Sequence, residues 1–170
     1  MRRKKQQRGS AMVEFATAGI ASTIMLISTF QLAMIMWNYH TMAFVVHEAT
    51  RFVAVRGVGC TKPGNTCSVN VGTIAHRIDY LGIGIPSGRV NVTLTTDSGA
   101  QTLCAPLSSC FSNTTVWPPS SNNDNKTGAL ITISANYQFQ SALLFFWPGA
   151  GTQNFGAIGL PASSTQTVVF

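Results

Sequence analysis

The stretch FATAGIASTIMLISTFQLAMIMW, Phe15 to Trp37, holds no charged side chain over about 23 residues, and as an α-helix it reaches roughly 34 Å at 1.5 Å per residue. That length matches the hydrocarbon core of a bilayer. A buried helix of a soluble protein is seldom so long, and a cleaved secretory signal has a shorter apolar region with a small-x-small exit that is not evident here. The stretch is therefore expected to stay in the chain as a membrane span. Trp37 and Tyr39 fall where aromatic rings favour the membrane–water boundary.

Toward the N-terminus the composition changes abruptly. The 170-residue chain has a net charge of +6, from 11 basic and 5 acidic residues. Arg2, Arg3, Lys4, Lys5 and Arg8 supply nearly all of that excess. A basic run beside an apolar one is a cytoplasmic flank, because Lys and Arg stay inside during insertion. The N-terminus is thus expected in the cytoplasm, the C-terminal part outside, and the lipid bilayer as a partner. With the flank set aside, no basic face remains for nucleic acid.

Past Tyr39, Met42, Val45, Val46, Ala49, Phe52 and Val53 recur at helical spacing, with no breaker before Gly57. Residues 38–57 should therefore prolong the span as an amphipathic stem, in one helix of about 45 residues whose apolar stripe needs a cover. His47, Glu48 and Arg51 can pair on its solvated side.

The remainder, residues 58–170, reads as a small extracytoplasmic α+β head with antiparallel strands. Val71, Ile74, Ala75, Ile78 and Leu81 space as a short second helix that GIGIPSG stops. Val90, Val92 and Leu94 alternate with polar residues, as do Ile131, Ile133, Ala135, Tyr137 and Phe139, and TQTVVF closes the chain as a strand. About three strands are expected in all. VWPPSSNNDNKTG is a polar loop without pattern. Leu143 to Trp147 are contiguously apolar, which leaves core filling and exposure to a membrane or a neighbouring subunit both open.

Four cysteines form two close pairs, Cys60 with Cys67 and Cys104 with Cys110. Their spacings exceed those of zinc knuckles, so two local disulfides in an oxidising compartment are expected, with other pairings open. His40, His47 and His76 are scattered, and HEATR lacks the second histidine of a helical zinc site. No acid pair, nucleophile elbow or phosphate-cradling loop is visible. The expectation is a non-enzymatic protein with no metal, cofactor or small-molecule substrate.

The join between basic flank and span holds the remaining signal. RRKKQQRG is followed by SAMVEFA, with a single carboxylate, Glu14, at the edge of the apolar run. This junction resembles the type IV prepilin processing site, and GSAMVEFA more narrowly resembles the start of a TadE-like pseudopilin of the Flp (tight adherence) system. HEATRFVAVRG is similar to the EAxRxAA-like stretch that follows the membrane helix in that family, with Thr50 in place of a usual alanine and Phe52 in place of a usual tyrosine. LITISANYQF looks like the family's terminal alternating strand. The cysteine-containing middle has no counterpart in the resemblance.

The resemblance implies a pilin-like fold in the bacterial inner membrane. A membrane-embedded prepilin peptidase would cut between Gly9 and Ser10, removing residues 1–9 and leaving residues 10–37 as the mature span. Glu14 would contact other pilin and pseudopilin subunits. The implied role is pilus assembly, in adhesion, fimbria biogenesis or linked secretion, with TadE-like and TadF-like parts both open. The alternative is an uncleaved type II surface glycoprotein acting as a binding module, with Asn91, Asn113 and Asn125 as sequon positions.

Overall fold

Apolar spacing without a breaker does produce one helix: in the computed structural model, α1 runs from Gln7 to Ala54 over 48 residues. The structure describes residues 7–57, 60, 67, 69–141 and 157–169. Leu143 to Trp147 lie outside the described residues. The chain divides into two compact units, one holding residues 1–36 and 141–156, the other 37–140 and 157–170.

In the first unit, α1 presents its large apolar side chains outward: Phe15 is 82 % exposed, Met25 74 % and Phe30 69 %. Ser141 donates its hydroxyl to Oε1 of Gln31. By length and composition α1 is able to cross a membrane.

The second unit begins where the helix changes regime. Asn38 is buried, and from there Met42, Val45, Val46, Ala49 and Val53 are almost fully removed from solvent. The stripe read from sequence is thus covered except at Phe52, which is half-buried, and each fully covered large side chain contributes about 1.5–3 kcal/mol relative to exposure. Thr50 is buried as well, and its Oγ1 donates to the Val46 carbonyl at 2.7 Å, which satisfies the hydroxyl inside the core.

The cover is a second helix and a sheet. Helix α2 spans Val71–Leu81; Asn70 caps it by accepting from the Thr73 backbone N–H at 2.7 Å, and the Gly82 N–H closes its end on the Ile78 carbonyl. Met42 and Val45 of α1 line one crevice with Ile78 of α2, Ile85, Val90 and Leu107. The four strands β1 (Val90–Thr96), β2 (Gln101–Cys104), β3 (Leu130–Gln140) and β4 (Ala157–Thr167) form an antiparallel sheet in the order β2-β1-β3-β4. Alternation places Val90, Val92, Leu94, Ile131, Ile133 and Tyr137 inside, the pattern of a sheet with one solvated face.

The α+β layout with a long helix and a small antiparallel sheet follows the sequence reading, with three corrections. The sheet has four strands rather than about three, because the short QTLC segment pairs with β1 through a turn in which Gly99 has φ +82°. The last strand is Ala157–Thr167 rather than TQTVVF. Val168 and Val169 leave the strand, and Val169 donates its N–H to the Ala54 carbonyl of α1 at 2.8 Å. LITISANYQF is accordingly β3, an interior strand flanked by β1 and β4. Finally, the VWPPSSNNDNKTG segment has structure: Trp117 and Asp124 are buried, and Asp124 accepts from the N–H and hydroxyl of Ser98 in the β1–β2 turn, at 3.1 and 2.6 Å.

Candidate functional site

Two regions combine charge with an apolar setting. The first is the start of α1. Gly9 and Ser10 lie in its first turns, and Glu14 follows, exposed, on the same helix. By helix rise the Glu14 position is about 6 Å from Ser10. Glycine weakens a helix interior by about 1 kcal/mol relative to alanine, and α1 carries it at Gly9 and Gly19.

Further along, the polar groups of the span are directed to its own backbone. Thr17 donates to the Val13 and Glu14 carbonyls, Ser22 and Thr23 to Gly19, Ser28 to Ile24 and Thr29 to Met25, all at 2.8–3.0 Å. Hydroxyls committed in this way need no water, which suits a helix in hydrocarbon. A Cβ added at Gly19 would meet no atom within 4 Å, so beside Ala18, Ala21 and Ser22 it leaves a smooth place on the surface. Among the sequence-derived site residues, then, Gly9, Ser10 and Glu14 share one helix end.

The cysteines pair as the spacing suggested. Cys60 is bonded to Cys67 and Cys104 to Cys110, with Cα atoms 5.5 and 5.6 Å apart. The second bond ties the end of β2 to the 3-10 turn Leu107–Cys110.

The second region was not apparent in the sequence. At the end of α1, the Arg56 guanidinium lies 3.7 Å from the centroid of the Phe52 ring, and that of Arg77 on α2 lies 5.2 Å from the same ring. Arg56 Nη1 also donates to the Phe52 carbonyl at 2.7 Å, closing the helix end. Burial, and then the like charge of Arg77, hold the Arg56 pKa below the ordinary arginine value. The Nε atoms of both arginines are buried without a hydrogen-bond partner. The i, i+4 spacing of Phe52 and Arg56 was a readable hint, but Arg77 joins them only through the packing of α2.

Of the histidines, His76 stacks on Phe111 with centroids 4.5 Å apart, and Tyr39 and His40 meet edge to face. The outer face of the sheet bears an open, uncharged cleft lined by Asn91, Thr93, Ser134, Asn136, Pro161 and Ser163. Thr132 with Thr165 and Ser134 with Ser163 form hydroxyl pairs across β3 and β4 there. Compared with protein-family models, with curated proteins and with solved structures, the chain has no significant match in any of the three.

Proposed function

We propose that this chain is a TadE-like minor pseudopilin: a prepilin of the bacterial inner membrane, cut after Gly9, whose helix and pilin-like periplasmic or extracellular head join the assembly of a Flp-type pilus. The observation that supports this reading is the pairing of one carboxylate, Glu14, with an outward-facing apolar helix that continues without interruption to Ala54.

The physical logic runs through charge. Cutting between Gly9 and Ser10 removes the five basic residues of the flank and leaves one α-amine on Ser10. A carboxylate held deep in hydrocarbon costs about 2.5–3.5 kcal/mol on insertion scales. The amine of an adjacent subunit, displaced axially by about one turn, neutralises both charges and sets the register between packed helices. Ala18, Gly19 and Ala21 permit close approach of a neighbouring helix. The head contacts other minor components, and the work of the protein is structural, not catalytic.

The test is the intact mass of the membrane-extracted protein with and without its prepilin peptidase. The reading expects a chain beginning at Ser10 when the peptidase is present; a chain still carrying Arg2 to Arg8 would overturn it. The alternative, an uncleaved type II glycoprotein, draws support from the exposure of Asn91 on the outer sheet face. It expects an intact Met1 end together with glycan mass.

A further inference from the structure

We infer that the segment joining α2 to β1, Tyr80 to Pro86, is a second membrane contact, in which Ile83 and Tyr80 enter the lipid headgroup layer near the point where α1 leaves the bilayer. The inference rests on the reading of Phe15 to Trp37 as a membrane span, and not on the pseudopilin assignment.

The segment reads YLGIGIP, carries no charge, and is bracketed by Asp79 and Arg89. Tyr80 is 78 % exposed and Ile83 74 %, more than any other large apolar side chain described in the second unit. A lone exposed apolar residue is ordinary, so placement decides. Gly82 and Ile85, on either side of the tip, line one crevice with Met42 of α1. Met42 follows Trp37 by about 7.5 Å of helix rise, and the headgroup layer on each side of a bilayer is roughly 5–8 Å deep. A loop seated at Met42 is therefore within a side chain's reach of the layer where the rings of Trp37 and Tyr39 fall.

The second observation concerns the backbone. Gly82 donates its N–H to the Ile78 carbonyl, Ile83 to Leu81 and Ile85 to Gly82, each at 2.9 Å, and Pro86 has no N–H to satisfy. A segment entering a layer poor in water needs such internal pairing. Gly84, at φ +84°, lets the chain turn back directly after Ile83, so that isoleucine stands at the tip. With no charge between Tyr80 and Pro86, burial of apolar surface drives the contact, and it is indifferent to headgroup charge. The bilayer is the occupant because Met42, which fixes the loop, lies on the same helix as the span in every molecule, whether or not another chain is near.

The test uses the full chain reconstituted in phosphatidylcholine vesicles, with a single nitroxide label attached through Ile83→Cys, Tyr80→Cys, Leu26→Cys or Asp97→Cys. Asp97 is exposed and lies just past β1, roughly 23 Å from Val90 of the shared crevice at 3.3 Å per residue, so it sets the aqueous value. Power saturation of the spin-label signal gives the accessibility to oxygen relative to a water-soluble nickel chelate. At Ile83 and Tyr80 that ratio should be at least about threefold the Asp97 value, with or without phosphatidylglycerol in the vesicles. Ile83→Asp, added to the Tyr80 label, should return the ratio to the Asp97 value, and Ile83→Leu should preserve it. A Leu26 label at the aqueous value would remove the membrane span itself. A Leu26 label in lipid with the Ile83 label at the aqueous value would overturn the loop contact alone. Low accessibility to both reagents at Ile83 marks a protein neighbour and overturns it too, as does a Tyr80 ratio that ignores Ile83→Asp.

Discussion

Val169 donates its backbone N–H to the carbonyl of Ala54 at 2.8 Å, so the segment after β4 closes the end of the long helix. Its neighbour Val168 is buried, while the side chain of Val169 is half exposed. The two valines should therefore respond differently. Val168→Ala is expected to destabilise the chain by about 2 kcal/mol through lost burial and a residual cavity. Val169→Ala should be within about 0.5 kcal/mol of neutral. Val169→Pro, which lacks the donor, should lose about 1–2 kcal/mol. Denaturant melts of the three variants check the ordering.

Gly72 is required by close backbone approach. A Cβ there would meet the Phe111 carbonyl oxygen at 2.7 Å and that of Asn113 at 2.9 Å. The same segment accepts hydrogen bonds from the first turn of α2, Gly72 N–H to Asn113 and Val71 N–H to Thr115. Backbone cannot rotate away as a side chain can, so Gly72→Ala should destabilise by about 1–3 kcal/mol despite its higher helix propensity. Gly88 has open space around it, and Gly88→Ala serves as the control in the same melts.

Asp124 links the β1–β2 turn to the loop before β3. Burial alone raises its pKa, but hydrogen bonds from the Ser98 hydroxyl, from Thr96 and from the Ser98 N–H outweigh it and hold the carboxyl below the ordinary aspartate value. A depressed folded pKa means stability that is fully present above the unfolded value, near 3.9, and that is lost as the pH falls through the folded value. Stability should therefore decline as the pH drops below about 4. Asp124→Asn should flatten that part of the curve while lowering stability at neutral pH, as measured by urea melts across a pH series.

Glu14 tests the proposed contact between subunits. Glu14→Gln removes a charge from an apolar helix, so membrane insertion should be no weaker than in the parent. Incorporation into fimbriae should fall by about tenfold or more, equivalent to about 1.4 kcal/mol. Quantifying the subunit in sheared fimbriae and in the membrane fraction separates the two effects. Unchanged incorporation would remove the carboxylate from the assembly mechanism.

Periodic burial was the legible part of this fold. Met42 to Val53 in α1, with Phe52 only partly covered, Val71 to Ile78 in α2, Val90 to Leu94 in β1 and Ile131 to Phe139 in β3 bury the residues that their spacing marks. Strand β2 escaped because it is short and its Leu103 is exposed. Strand β4 escaped for a different reason. Apart from Ile158 and Leu160 at its start it is built of small and polar residues and a proline, and of these two only Leu160 is buried, so a run long enough to mark a strand is missing. The Asp124–Ser98 bond and the meeting of Arg77 with Phe52 join residues distant in sequence, which no local pattern encodes.

The self-directed hydroxyls of α1 limit how a neighbouring helix in the proposed assembly can tell this helix from a similar one. With Thr17, Ser22, Thr23, Ser28 and Thr29 already turned back on the backbone, the helix has little directional code to offer between its N-terminal acid and Gln31. Recognition there reduces to contour, and contour alone is permissive. In the proposed assembly, discrimination among related subunits then falls to the sheet and its loops.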